Sequence, residues 1–239
     1  NHGYGEEVAE LAKGCNIIGI PGDPHKNFDV KRWSLLNNLF GGLRRYYNHV
    51  IVGDVDELVV VDPDAGVNLL QWLEKAETDR VYTPADDMIL GPRRHVRIAP
   101  HYSKPSIVST PAKLSRGGHF AQYPKLHTPD ELYLLHLKFC DFGAYTGAMD
   151  RRNAVSADVG VGFKQASIGR HWFAEARGED RAVFEGFAEL PMQDDFDMRP
   201  VRRKMHRSFK ARGDTGYFEF DRPNYKGQYL LPERFSGIF

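Results

Sequence analysis

Two cysteines, Cys15 and Cys140, are too few in 239 residues for a disulfide framework or a zinc site built on thiolates. Both read as reduced residues packed in a core. No apolar run approaches the roughly 20 residues that a membrane-spanning helix needs. The longest are short, as at Leu58-Val59-Val60-Val61. An excess of either charge is missing too, since Lys plus Arg number 32 and Asp plus Glu number 32. Without a net positive field the chain has no general means of coating nucleic acid, and no nucleic-acid partner is expected. Asn1-His2-Gly3-Tyr4-Gly5 has neither Met nor the apolar stretch of a signal peptide. The start reads as a cut inside a longer chain, and the expected location is cytoplasmic. What is present, 41% hydrophobic and 27% charged residues with 23 Gly and 14 Pro, suits a globular fold with a substantial core. Disordered, collagenous and coiled-coil classes are excluded.

Residues 6–13 carry Val8, Leu11 and Ala12 on one helical stripe that stops at Gly14. Residues 16–20 predict a buried strand, closed by Pro21-Gly22-Asp23-Pro24. Asp29 is placed to cap a helix running to about Tyr47, with Val30, Trp33, Leu36, Phe40, Leu43 and Tyr47 at spacings of three and four. A near-continuous apolar strand follows at 49–53, a helix around Leu69, Leu70, Leu73 and Ala76, and a short strand at 80–83. Strand alternating with helix predicts a parallel sheet covered by helices. Residues 84–129 change to irregular sequence dense in Pro, Gly, His and Arg, with one strand-like piece at 106–110. Residues 132–137 predict another strong strand and 143–186 mostly helix, while 217–239 read as an aromatic, loop-like tail.

The most informative residues are Asp54-Val55-Asp56-Glu57, three carboxylates that end an apolar strand. In an open α/β sheet, ligands bind outside the carboxyl ends of the strands. In an extended chain Asp54 and Asp56 share a face while Val55 returns to the core. Two carboxylates so placed repel unless a cation lies between them, and a hard divalent ion, Mg²⁺ or Mn²⁺, is the natural candidate. His136 lies in an apolar strand, where an imidazole must find a partner or suffer desolvation, and a metal at Asp56 would satisfy it. His119, after Arg116-Gly117-Gly118, sits on a loop able to close over substrate. The plainer reading makes the acids solvated turn residues and the histidines surface or hydrogen-bonded core residues.

Ile51-Val52-Gly53-Asp54-Val55-Asp56-Glu57-Leu58 resembles the DxD element of GT-A-fold glycosyltransferases, in the DxDE form of family 2-like bacterial enzymes. The order of Lys104-Pro105-Ser106-Ile107-Val108, Gly118-His119 and Leu134-Leu135-His136-Leu137-Lys138 also matches. The resemblance covers roughly residues 16–140. It implies a GT-A-like (Rossmann-like), mixed but mostly parallel sheet flanked by helices, with the first strand expected upstream of Asn1. Residues 1–140 would form the nucleotide-sugar and metal-binding core, and 141–239 a helical C-terminal extension of the same domain.

Function follows from the same resemblance. It implies transfer of a sugar from a nucleotide-sugar donor, a UDP-sugar first among the candidates, to a hydroxyl of a glycan or lipid-linked acceptor in polysaccharide biosynthesis. Asp54 and Asp56 would hold Mn²⁺ or Mg²⁺ with His136 or His119 as a further ligand, and Asp54 would also face the donor. Inversion at the anomeric carbon needs a carboxylate base. Asp87, beside Asp86, is one candidate; Asp180 is the other, because Gly178-Glu179-Asp180 resembles the family's ED pair. Solvated helix-end acids explain that pair equally well. Lys104, Arg116 and Arg93-Arg94 are placed to neutralise the leaving diphosphate, or are ordinary loop cations. Residues 199–212 hold seven Lys and Arg and no acid, with Val201, Met205 and Phe209 four apart. Such a basic amphipathic helix either rests on an anionic membrane or docks its stripe on the domain. A metal-dependent phosphohydrolase or nucleotidyltransferase would use the same acids with a second ion. A catalytically silent binding module would keep the fold alone.

Overall fold

The computed structural model describes residues 10–18, 28–84, 87–90, 94–100, 102–159, 184–186, 189–222 and 225–238, with backbone alone at 28–29, 87–90 and 151–159. Helix α1 (Phe28–Leu43) is followed by strand β1 (Val50–Ile51), the acidic turn, and strand β2 (Glu57–Val61). Helix α2 (Leu69–Lys75) begins at a capping box in which Asn68 and Gln71 exchange side-chain to backbone hydrogen bonds. Strands β3 (Val81–Tyr82), β4 (Asp87–Leu90), β5 (His95–Ile98), β6 (Ile107–Val108) and β7 (Leu132–His136) come next. Helices α3 (Phe142–Val159) and α4 (Arg199–Ser208) precede the short strands β8 (Lys210–Ala211), β9 (Phe218–Glu219) and β10 (Tyr229–Leu230), and a 3₁₀ turn (Glu233–Ile238) ends the described chain.

The chain is mixed α/β, but its sheets are small and mainly antiparallel. One sheet has the order β1-β6-β3 and a second the order β10-β5-β4-β7-β2, while β8 and β9 form a ribbon. Among the described strand pairs only β4 and β7 run parallel. Among the described residues the mostly parallel sheet expected from the sequence does not appear. The reason is visible in the burial pattern, where adjacent residues of one strand enter different cores. Val60 joins the cluster of Val96, Ile98, Tyr133, Leu135, Val201, Met205 and Phe235. Val61 joins Tyr82, Ile107 and Leu132 under α2. Val81 and Val108 face Trp33 and Phe40 of α1 instead. A strand buried on both faces reads as a continuous apolar run whatever its direction, so the run carries no information about parallel pairing.

Smaller departures have local causes. Helix α1 stops at Leu43 rather than near Tyr47, and Tyr46 and Tyr47 are exposed. The strand expected over 49–53 shrinks to Val50–Ile51. The irregular region 84–129 holds two further strands, β4 and β5, which pair with each other. The tail pairs β10 with β5 and buries Leu231 and Phe235. Cys15 and Cys140 are exposed free thiols, not core residues. Of the strand expected at 16–20, residues 16–18 are not in a strand and Ile17 and Ile18 are exposed; residues 19–20 lie outside the described residues. No helix among the described residues is long and apolar enough to cross a membrane.

Candidate functional site

The acids lie in the reversal between β1 and β2. The Glu57 amide donates to the Asp54 carbonyl at 3.1 Å, and the Asp54 amide donates to Glu57 Oε2 at 3.2 Å. This is a tight turn, not the extended chain expected from alternation. Val55, expected in the core, is 102% exposed at its tip. Asp54 and Asp56 consequently leave the backbone toward different partners. The turn is fixed on both sides: the Val52 amide donates to the Ser106 carbonyl and the Leu137 amide to the Asp56 carbonyl, each at 2.8 Å.

Asp54 faces cations. Its Oδ1 accepts from Arg32 of α1, and its Oδ2 accepts from Lys104 Nζ at 2.9 Å. Lys104 also donates to Glu57 Oε1, so one ammonium bridges two carboxylates. Lys104 is buried because it leads into β6 through a segment, Ser103–Ser109, with no exposed residue. Burial penalises each charge here, but mutual pairing outweighs it. Asp54 is held below the usual carboxylate range by Lys104 and Arg32 against its burial. Lys104 is held above the usual lysine value by Glu57 and Asp54, again against burial. Lys104 thus supplies a cation between Asp54 and Glu57, not between Asp54 and Asp56 as alternation had placed it.

Asp56 has a different neighbour. His136, opposite Glu57 in the β2–β7 register, brings Nε2 to 3.3 Å from Asp56 Oδ2. His136 is 11% exposed in its side chain and Asp56 37%, so the pair has a closed side and an open side. Tyr102 packs edge-on against the imidazole at 5.4 Å. Burial raises the Asp56 carboxyl, but the hydrogen bond and charge of His136 bring it below the usual range, while the nearby charge of Asp54 opposes that.

The divalent ion implied by the resemblance can be tested against these donors. Two ligands of one ion at about 2.0–2.2 Å lie roughly 3 Å apart, a spacing that the Asp56–His136 pair meets. Asp54 does not fit, because both its oxygens serve protein cations. Among the described residues no three His, Cys, Asp or Glu side chains converge as a metal group. A cation held by Asp56 and His136 would thus keep most of its positions for phosphate oxygens and water, as Mg²⁺ and Mn²⁺ commonly do.

The other expected residues distribute unevenly. Lys104 is at the centre of the site, as a partner of acids. His119 is half-buried, lies against Gly117 and gives its carbonyl to Arg222 at 3.2 Å. Arg116 is exposed on the same turn. That turn approaches α1, since Gly118 sits against the Trp33 indole, one residue from Arg32. Asp87 enters β4 two positions before Ile89, which is the register partner of His136; its side chain lies outside the described residues. Arg94, expected either to neutralise the leaving diphosphate or to be an ordinary loop cation, pairs with Glu233 at 3.0 Å. Asp180, Asp86 and Arg93 lie outside the described residues. Arg32 is a site residue that sequence reasoning missed, because one arginine in an apolar helix carries no local mark. Comparisons with protein-family models, with curated proteins and with solved structures gave no match.

Proposed function

We propose that the chain is a metal-dependent glycosyltransferase that transfers a sugar from a nucleoside diphosphate sugar to an acceptor hydroxyl. The observation that carries this reading is the gathering, around one acidic turn, of an open Asp56–His136 donor pair and two cations, the buried Lys104 and the half-buried Arg32. A diphosphate needs both, namely a Lewis acid on its oxygens and fixed positive charge that stabilises the departing anion. Asp56 and His136 are the residues that would hold the ion. Lys104 and Arg32 are the fixed charges, already oriented by Asp54 and Glu57 and therefore spared reorganisation as the leaving group departs. Asp87, whose backbone begins β4, is a candidate for the base at the acceptor hydroxyl.

One observation weighs against the two-ion phosphohydrolase alternative. A second ion would have to displace Lys104 from between Asp54 and Glu57, where the ammonium is nearly enclosed at 8% side-chain exposure.

The test is thermal stabilisation by UDP, GDP, CDP and dTDP sugars with and without Mn²⁺. One nucleotide class should raise Tm only when the cation is present, and Asp56→Ala should abolish that shift while leaving the unliganded Tm nearly unchanged. Failure of every nucleotide with every cation would remove the reading.

A further inference from the structure

Helix α4 places Val201 and Met205 in the main core at 1% and 0% exposure, with Met198 beside them. Its inner arginine, Arg202, is also buried, stacked 5.3 Å from the Tyr133 ring and 3.5 Å from Asp130. Helical spacing then sets Arg203, Lys204 and Arg207 on the opposite side of the helix, and all three are exposed. Lys210, just beyond the helix, is exposed as well.

Three acids near the helix are engaged by other cations, while Asp221, whose amide donates to Ser208 Oγ at 2.8 Å, is exposed at the helix's C-terminal end. Asp197 holds Arg199 at 2.9 Å, Asp130 faces Arg202, and Glu219 holds Arg212 at 3.2 Å. His206 hydrogen-bonds to Thr128 at 2.6 Å. Arg203, Lys204, Arg207 and Lys210 make no ion pair among the described residues. Asp197 also lies within electrostatic reach of Arg203, yet in a chain with 32 positive and 32 negative side chains four neighbouring cations outside any ion pair form a local positive field that global neutrality does not supply.

We infer that the outer face of α4 is a docking surface for an anionic lipid bilayer, held by charge alone. The apolar stripe that would enter a bilayer is used inside the protein, so the helix rests at headgroup level without insertion. The face is composed of cations only, with no aromatic, Asn or Gln side chain to stack on or read bases. That composition fits a featureless anionic sheet better than a polynucleotide. The inference is independent of the transferase reading.

The experiment is co-sedimentation of the full chain with phosphatidylcholine vesicles, with and without about one-third phosphatidylserine. Binding should appear with phosphatidylserine and disappear near about 0.5 M salt, where the Debye length shrinks to a few ångström. At roughly fivefold per charge, R203Q/K204Q/R207Q should weaken binding about a hundredfold, whereas the charge-keeping R203K/R207K should bind as the wild type does. All these side chains are exposed, so Tm should stay unchanged, as should any stabilisation by nucleotide sugar. Absence of binding to phosphatidylserine vesicles, salt-resistant binding, or equal binding by the neutralised variant would each overturn the inference. Tighter binding to a duplex or single-stranded oligonucleotide than to the vesicles would overturn it in favour of nucleic acid.

Discussion

Lys104 stands between two carboxylates, and the Glu57 side chain beside it is only 1% exposed. Removing one partner of such a buried pair strands the other charge, which costs about 3–5 kcal/mol, whereas removing both charges together is often nearly neutral. Lys104→Ala should therefore lose stability in that range by urea unfolding, and Lys104→Met combined with Glu57→Gln should recover most of it. A loss below about 1 kcal/mol would mean that the bridge does not persist in solution. The same network sets a pH dependence. Asp54 and Asp56 titrate below their ordinary range in the folded chain, so the unfolded chain binds more protons between the folded and unfolded values. Their contribution is complete above the unfolded carboxylate value near about 4 and is lost as pH falls through the lower folded value. Lys104 is shifted upward, so its contribution is complete below the unfolded lysine value near about 10.4 and is lost only as pH rises beyond it. Stability measured from pH 3 to 6 should rise with pH, and Asp54→Asn should flatten that slope; an unchanged slope would assign it to other acids. The acidic residues themselves were legible, because three carboxylates after an apolar strand are conspicuous. Their partners were not, since Arg32 and Lys104 lie 22 and 50 residues from Asp54 and only tertiary packing brings them in.

At the scale of elements, the approach of the turn at residues 115–118 to α1 depends on one glycine. Gly118 has φ +74°, and a Cβ there would lie 2.4 Å from Trp33 Cη2. A left-handed backbone costs a non-glycine residue about 1–2 kcal/mol, and forcing a methyl group into a packed contact costs about 1–3 kcal/mol. Gly118→Ala should accordingly lose about 2–5 kcal/mol and alter Trp33 fluorescence. Because Trp33 neighbours Arg32, the variant should also weaken any nucleotide-dependent rise in Tm. If only fluorescence changed, the turn would be separate from the site. Helices α1 and α2 were readable from apolar periodicity. The acidic turn was misread because alternation assumes an extended chain, and the Glu57 to Asp54 hydrogen bonds reverse the backbone over four residues. Strands β4 and β5 were missed because the sequence around them is dense in Pro, Arg and His, and their pairing to each other is what makes them strands.

Across the whole molecule, the strands are shared boundaries between cores. Neighbours along the chain divide between clusters: Val60 from Val61, Val81 from Tyr82, Ile107 from Val108, Leu132 from Tyr133. No cluster can dissolve without releasing strands that wall the next one, so unfolding should be cooperative across the described chain. This division is also why strand direction was hidden in the sequence, where burial on two faces erases the alternation that marks antiparallel pairs. Phe235 tests the consequence. It is fully buried among residues drawn from β2, β5, β7 and α4, its ring is 5.3 Å from that of Tyr133, and the adjacent Arg234 holds Asp62 at the end of β2 at 2.8 Å. Phe235→Ala should cost about 3–5 kcal/mol, as buried aromatic truncations do. In a Trp172→Phe background the fluorescence of Trp33 and Trp72 reports on the two clusters that Phe235 does not touch. Urea transitions followed by that fluorescence and by far-ultraviolet circular dichroism should move together to lower denaturant with unchanged slope. Separated transitions, with the Trp33 and Trp72 signal staying at its wild-type midpoint, would show that the cores fold independently despite sharing their strands.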